Sequence, residues 1–256
     1  MIIRSDEIED LPTNDGRVMR LHIVRPAGTG RFPGVLFFSE IYQVTDPIRR
    51  LAAMVAGQGY LVAMPEVYHE YEPPGTVLRY DQAGTDRGNA LKTTKTIAGF
   101  DADAKLGLVA LARNATCNGR LATMGVCLGG HLAYRAALDP SVSAAACFYA
   151  TDIHSRTLGA GKADDSLARM DELRAETLFV WGRQDPPSPD VRPSARVWRR
   201  SKPGMNGTKS MPPTRSFGTR GRVTIRRCFS RRSAGCSRYL PARFRAELAS
   251  GWLGKL

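Results

Sequence analysis

Short apolar segments alternate with amphipathic segments from about residue 20 to residue 185, and this alternation restricts the fold more than any other feature of the sequence. The apolar runs predict buried strands at residues 34–39, 60–64, 121–126, 144–149 and 177–181. Apolar residues at helical spacing predict helices at residues 47–56, 101–114, 130–138 and 165–174. Such alternation is typical of a parallel sheet with helices on both faces. We therefore predict an α/β fold.

Residues 65–99 interrupt this alternation. They are rich in Pro, Gly, Tyr and charged residues, which indicates a long surface segment. Long ordered loops are uncommon in compact domains unless they serve a function. We expect this segment to cover a substrate site.

The basic charge of the chain lies in residues 186–256. The whole chain carries 37 Lys and Arg against 24 Asp and Glu, a net charge of +13. Residues 186–256 hold 17 of the basic residues but only the acids Asp190 and Glu247. They are also rich in Arg, Pro, Ser and Gly and poor in large apolar residues, a composition typical of disorder. We predict a core at residues 1–185 and a poorly ordered tail, in which residues 222–229 and 242–253 alone have a regular pattern.

The sequence argues against a secreted or membrane protein. Acids such as Asp6 and Glu7 stand where a signal peptide has basic residues and then an apolar run. No apolar run approaches the roughly 18 residues of a membrane span. The five cysteines lack metal-ligand spacing such as CxxC, which favours free thiols in a reducing compartment. We expect a cytoplasmic protein with no membrane partner.

The strongest local signal is the segment GVCLGG, residues 125–130, between a predicted strand and a predicted helix. This context is required of a nucleophile elbow, a sharp turn that exposes its central side chain and needs glycines where a Cβ would clash. The start of the helix favours a thiolate at Cys127, and the backbone N–H of Leu128 points toward a developing oxyanion. The alternative is a glycine-rich turn with an inert cysteine.

Two acidic residues follow predicted strands of the same sheet. Asp185 comes after the strand at residues 177–181, where a triad acid is expected in the chain order nucleophile, acid, histidine. The alternative for Asp185 is a loop or helix-capping role. Glu40 directly follows the strand at residues 34–39, which directs it to the same edge of the sheet.

Together these segments resemble the dienelactone hydrolases, which are cysteine-dependent α/β-hydrolases. The resemblance covers roughly residues 15–187 and rests on GVCLGG together with the segments SEIYQ and GRQDP. It implies an α/β-hydrolase fold, here with an atypical or incomplete C-terminal part, and hydrolysis of a small ester or enol-lactone through an acyl-enzyme. By this resemblance Cys127 is the nucleophile, Asp185 the triad acid, and Glu40 the residue that holds the resting thiol and triggers its ionisation. The backbone amides of Leu128 and Ile41 form the implied oxyanion hole.

The sequence departs from this family at two positions. The family often binds a substrate carboxylate with an arginine from the region of residues 79–95; the candidates Arg79 and Arg87 lie in this region, but neither matches the family position. The family also places its catalytic base well after the acid, yet no histidine follows Asp185. The histidines of the chain are His22, His69, His131 and His154.

The available histidines are poor replacements for that base. The helix after the elbow carries His131 behind Cys127, so we interpret it as a structural or rim residue. His154 follows the strand at residues 144–149 and is a weak candidate. His69 lies near the acids Glu66, Glu70 and Glu72, but a solvated loop explains that segment better than a metal site does. We expect no metal and no cofactor, and impaired deacylation.

Two hypotheses account for the tail. In the first, residues from about Pro187 onward are read in a shifted frame relative to the ancestral gene. In the second, its 14 arginines form an arm that binds nucleic acid or anionic surfaces on a hydrolase scaffold without turnover. The second is the less favoured, so we expect a small-molecule ester or lactone as partner and not nucleic acid.

Overall fold

An eight-stranded sheet forms the centre of the structure, a computed structural model that describes residues 1–182 and the backbone of residues 223–228. The strands are β1 (Ile3–Pro12), β2 (Val18–Pro26), β3 (Phe32–Phe38), β4 (Leu61–Pro65), β5 (Cys117–Val126), β6 (Val142–Phe148), β7 (Glu176–Gly182) and β8 (Val223–Cys228). Their order across the sheet is β1-β2-β4-β3-β5-β6-β7-β8. The helices are α1 (Asp46–Gly57), α2 (Gln82–Thr94), α3 (Ile97–Arg113) and α4 (Leu128–Ala136).

The five central strands, β4, β3, β5, β6 and β7, run parallel to one another. Strands β1 and β2 on one side and β8 on the other are antiparallel to their neighbours. The carboxyl ends of the parallel strands meet at one edge of the sheet, which is where loops build active sites in open α/β sheets. The predicted α/β fold with a mostly parallel sheet flanked by helices is confirmed.

Helices cover both faces of the sheet because its central strands bury side chains on both sides. In β3, Leu36 and Phe38 join one apolar cluster, whereas Val35 and Phe37 join the other. Helices α3 and α4 complete the first cluster, and α1 completes the second. A strand buried on both faces has no polar side, which explains the unbroken apolar run that predicted it.

The structure differs from the sequence prediction at three places. The sequence patterns predict neither β1 nor β2. Strand β1 is an edge strand with exposed residues and no apolar run, and in β2 the polar residues Arg20 and His22 interrupt the apolar run. The sequence predicts a long surface segment at residues 65–99 without a helix, but the segment contains α2. The helix predicted at residues 165–174 is a short 3₁₀ turn at Ala168–Glu172. Arg135 of α4 binds the Asp165 carboxylate and the Ser166 hydroxyl at the start of that segment, which ties it to α4.

The sequence does not predict helix α2 because its two glycines lower the helix propensity of the segment. Both glycines are required by close packing. A Cβ at Gly84 would lie 2.0 Å from the carbonyl oxygen of Arg79, and one at Gly88 would lie 2.7 Å from that of Ile41. The Asp81 side chain caps the helix by accepting a hydrogen bond from the Gly84 N–H.

Of the tail, the structure describes only β8, which falls inside the segment at residues 222–229 that has a strand pattern. The predicted poor order of the tail, the pattern at residues 242–253 and the predicted triad acid Asp185 lie outside the described residues. Within the described part of the chain, no helix is both long and apolar enough to cross a membrane.

Candidate active site

Cys127 occupies a sharp turn between the end of β5 and the start of α4, as the sequence predicts. Its φ of 58° lies in the left-handed region that non-glycine residues rarely adopt. The backbone N–H of Cys127 donates to the carbonyl oxygen of Phe148 at 2.9 Å, and its own carbonyl accepts from the Gly130 N–H at 3.0 Å. Strained backbone of this kind persists only where its surroundings hold it, and it clusters at functional sites.

The glycines around Cys127 allow the turn to pack against three strands. A Cβ at Gly125 would lie 1.9 Å from the carbonyl oxygen of Gly129. A Cβ at Gly129 would lie 2.1 Å from the carbonyl oxygen of Phe38, at the end of β3. A Cβ at Gly130 would lie 2.7 Å from the carbonyl oxygen of Phe148, at the end of β6. The predicted need for glycines at this turn is confirmed.

The Cys127 side chain is held as a thiol. Burial raises the pKa of Cys127 above its usual value, and the nearby charge of Glu40 raises it as well. A hydrogen bond from the backbone N–H of Leu128 lowers that pKa, as the position at the start of a helix predicts, but burial outweighs it. The predicted effect of the helix start is present, but burial exceeds it, so the net pKa of Cys127 is raised.

Glu40 lies next to this turn because β3 and β5 are neighbours in the sheet. Phe38 pairs with Gly125 in the parallel register, so the residues that follow both strands emerge side by side. Burial raises the pKa of Glu40, while a hydrogen bond from the Tyr80 hydroxyl lowers it. The predicted convergence of Glu40 and Cys127 at one edge of the sheet is confirmed, whereas their catalytic roles stay predictions.

The residues that supply the two backbone amides of the predicted oxyanion hole are Leu128, which follows Cys127, and Ile41, which follows Glu40. Leu128 begins α4, and its N–H acts on the Cys127 sulfur. Ile41 follows Glu40, is buried, and packs against Gly88 of α2. Their joint action on an oxyanion stays a prediction.

An ion pair that was not predicted acts on the Cys127 thiol. Lys92 Nζ lies 3.0 Å from Asp152 Oδ2, and the two side chains are only 16% and 15% exposed. Asp152 is anchored beside the turn, because the N–H of the adjacent Thr151 donates to the carbonyl oxygen of Cys127 at 3.4 Å. The charge of Lys92 lowers the pKa of Cys127, and the charge of Asp152 raises it.

Of the Lys92–Asp152 pair, only Asp152 has a position in the sequence that could have placed it at the site. Asp152 follows the predicted strand at residues 144–149 and so lies at the carboxyl end of a parallel strand, as Glu40 does. Lys92 lies in α2, within the segment predicted to be irregular, and nothing in the sequence directs it toward Asp152. Tyr80, which binds Glu40, comes from the same segment and was missed for the same reason.

The two candidate substrate arginines contact carboxylates. Arg87 Nε lies 2.7 Å from Glu72 Oε1, and Arg79 Nε lies 3.5 Å from Asp81 Oδ2. Both arginine side chains are at least half exposed. Their role in binding a substrate stays a prediction.

Two of the candidate histidines, His131 and His69, are held in separate side-chain contacts. His131 is fully buried, its Nε2 lies 2.6 Å from Ser166 Oγ, and burial lowers its pKa to about 4. His154 is exposed. The expectation of a solvated loop at His69 is wrong, since its side chain is 3% exposed and its Nε2 lies 2.9 Å from Asp103 Oδ1.

The acids near His69 are also engaged. Glu66 Oε1 lies 2.6 Å from His22 Nε2, and Glu70 Oε2 lies 2.6 Å from Lys95 Nζ. Among the residues that the structure describes, no group of three or more His, Cys, Asp or Glu side chains could hold a metal ion.

A mostly parallel sheet with a cysteine-bearing elbow after its fifth strand defines an α/β-hydrolase. The chain belongs to the dienelactone hydrolase family, whose family model matches residues 19–194. This membership assigns it to the hydrolases that act on ester and lactone bonds.

Individual relatives agree with this assignment. A Saccharomyces cerevisiae protein named "Putative carboxymethylenebutenolidase" is 42% identical over 71% of this chain and 69% of its own length. A carboxymethylenebutenolidase of Pseudomonas putida is 29% identical over 60% of this chain and 61% of its own length. The crystal structure of a "Putative Dienelactone Hydrolase" from Klebsiella pneumoniae matches with a TM-score of 0.56 and 25% identity, over 73% of this chain and 74% of that chain.

Proposed function

We propose that the chain is a cysteine-dependent carboxylic-ester or lactone hydrolase that works through an acyl-enzyme. The observation that carries the proposal is the strained turn that presents Cys127 at the sheet edge beside Glu40. The names of the relatives support a lactone as the natural substrate, since two of them are called carboxymethylenebutenolidases.

Acylation begins with a proton transfer from the Cys127 thiol to the Glu40 carboxylate. The thiolate sulfur attacks the carbonyl carbon of the substrate, and the N–H groups of Leu128 and Ile41 stabilise the resulting oxyanion. When the intermediate collapses, the carbon–oxygen bond of the ester breaks. The leaving oxygen takes the proton from Glu40, and the acyl group stays on sulfur as a thioester.

Deacylation consumes one water molecule. Its oxygen attacks the thioester carbonyl, the carbon–sulfur bond breaks, and a water proton returns to Cys127. This step requires a base that activates water, and the chain has no histidine after Asp185. We therefore propose that acylation is faster than deacylation and that the acyl-enzyme accumulates.

The test uses the full chain and p-nitrophenyl acetate. We expect a burst of about one equivalent of p-nitrophenol followed by a slow steady state, as for an enzyme whose acyl intermediate accumulates. Cys127→Ala removes the burst, and a peptide mass spectrum of the unsubstituted chain places the acetyl group on Cys127.

Cys147→Ala is the matched control, because Cys147 is fully buried in the neighbouring strand β6. We expect it to keep the burst. Equal hydrolysis by the unsubstituted chain and by Cys127→Ala would remove Cys127 from the mechanism.

A further inference from the structure

We infer that Tyr80 is a positioning residue for Glu40, whose phenol donates a hydrogen bond that keeps the carboxylate ionised until the Cys127 proton is transferred. The inference rests on the proposed function, in which Glu40 is the proton acceptor. It assigns a role to a tyrosine from outside the elbow and the sheet.

The contact is a chain of two hydrogen bonds. The Tyr80 hydroxyl donates to Glu40 Oε1. The same hydroxyl oxygen lies 2.9 Å from Thr45 Oγ1. A phenol has one proton, so a Tyr80 hydroxyl that donates to Glu40 accepts from Thr45. Thr45 is buried, and its hydroxyl thereby fixes the direction in which the Tyr80 proton points.

The backbone that carries Tyr80 is attached to the turn that carries Glu40. The Leu78 N–H donates to the carbonyl oxygen of Tyr42 at 3.1 Å, and the Gln43 side-chain amide donates to that of Thr76 at 3.2 Å. The Tyr80 ring also packs on the Tyr42 ring, with 4.5 Å between their centroids. Tyr80 is 56% exposed, so a residue at the protein surface contacts the half-buried Glu40.

The Tyr80 hydrogen bond affects whether Glu40 is ionised. Glu40 is partly buried, and burial raises its pKa, which favours the neutral acid. The Tyr80 hydrogen bond opposes that effect because it stabilises the carboxylate. Among the residues that the structure describes, the other titratable groups near the pair are the Cys127 thiol beside Glu40, the Tyr42 ring beside Tyr80, and the exposed Arg79–Asp81 pair that flanks Tyr80 in the chain.

The direct test measures the ionisation of Glu40 in the full chain. The carboxyl carbon of Glu40 is followed by NMR as the pH changes, and its signal is identified with Glu40→Gln. In Tyr80→Phe the ring remains and the donor is lost, so we expect Glu40 to bind its proton at a higher pH. Tyr42→Phe is the matched control, since its hydroxyl lies 2.8 Å from Thr85 Oγ1. An unchanged Glu40 titration in Tyr80→Phe overturns the inference, whether or not the chain proves to be a hydrolase.

A second readout uses the acylation burst. On the acidic side of the pH profile we expect Tyr80→Phe to acylate about tenfold more slowly, because a hydrogen bond to a charged group is lost. At higher pH, where Glu40 is ionised in both proteins, the rates converge. A uniform loss at every pH would indicate a merely structural role and would contradict the inference. If Cys127→Ala keeps the burst, the proposed function fails instead.

Discussion

Cys127 combines a strained backbone with a thiol that burial keeps protonated. Charges on three separate segments act on that thiol: Glu40 after β3, Lys92 on α2 and Asp152 after β6. The two anions raise the pKa of Cys127, and the cation lowers it. Burial and the adjacent Leu128 N–H have the largest effects on the pKa of this thiol, and groups distant from it in sequence adjust that pKa further.

Opposite substitutions in the Lys92–Asp152 pair are expected to move the pKa of Cys127 in opposite directions. Lys92→Met removes the cation and leaves Asp152 uncompensated, so the thiolate becomes less stable and the pKa rises. Asp152→Asn removes the anion and leaves Lys92 uncompensated, so the pKa falls. The pH dependence of alkylation by iodoacetamide measures both changes.

The control for this pair is Lys105→Met. Lys105 Nζ also forms an ion pair, 2.8 Å from Asp139 Oδ2, but its side chain is 64% exposed. We expect its alkylation profile to match that of the unsubstituted chain. Shifts of the same sign in Lys92→Met and Asp152→Asn would contradict the electrostatic account.

At the scale of elements, the start of α4 contacts the end of β3. Gly129 makes this contact possible, since its Cα faces the carbonyl oxygens of Phe38 and Ser39. The same close approach brings Glu40 beside Cys127. The position of α4 and the geometry of the candidate active site thus depend on the absence of a Cβ at Gly129.

Gly129→Ala is expected to destabilise the fold and to abolish the burst. A Cβ would lie 2.1 Å and 2.3 Å from two backbone oxygens, which cannot yield without moving α4 or β3. A loss of about 3 kcal/mol or more in the free energy of unfolding is expected from overpacking of this kind. Urea denaturation measures it.

Gly57→Ala is the matched control, because Gly57 also lies in a helix and nothing is within 4 Å of its added Cβ. Alanine has the higher helix propensity, so this variant should keep or gain up to about 1 kcal/mol. Equal stability losses in Gly129→Ala and Gly57→Ala would show that the close contact does not matter.

At the scale of the whole molecule, a buried charge cluster joins the segment after β4 to the helices α2 and α3. Lys95 is fully buried and binds Glu70 Oε2 at 2.6 Å and Asp103 Oδ2 at 2.7 Å. Asp103 also binds His69. The cluster fixes the segment that supplies Tyr80 and Lys92, so it stabilises the site at a distance.

Lys95→Met is expected to cost about 3–5 kcal/mol of unfolding free energy, because it leaves buried carboxylates without their partner. Lys105→Met breaks an exposed ion pair and is expected to cost less than about 1 kcal/mol. Chemical denaturation of both variants measures the two losses of unfolding free energy. Equal losses would mean that the buried cluster adds no more stability than the surface pair.

The sequence by itself determined the features that contiguous residues encode. The apolar runs located the parallel strands, and the GVCLGG segment located the turn at Cys127, because strand period and turn sterics are local properties. The same patterns do not predict β1, which is largely exposed, or α2, whose glycines lower its helix propensity.

The tertiary structure alone decided which residues surround the thiol. Tyr80, Lys92 and Asp152 carry no shared motif. They come from two segments distant in sequence, and folding brings Tyr80 to Glu40 and pairs Lys92 with Asp152 beside Cys127. The direction of the pKa shift of Cys127 also depends on the tertiary structure. The start of a helix is visible in the sequence, but the burial that outweighs it depends on how the whole chain packs.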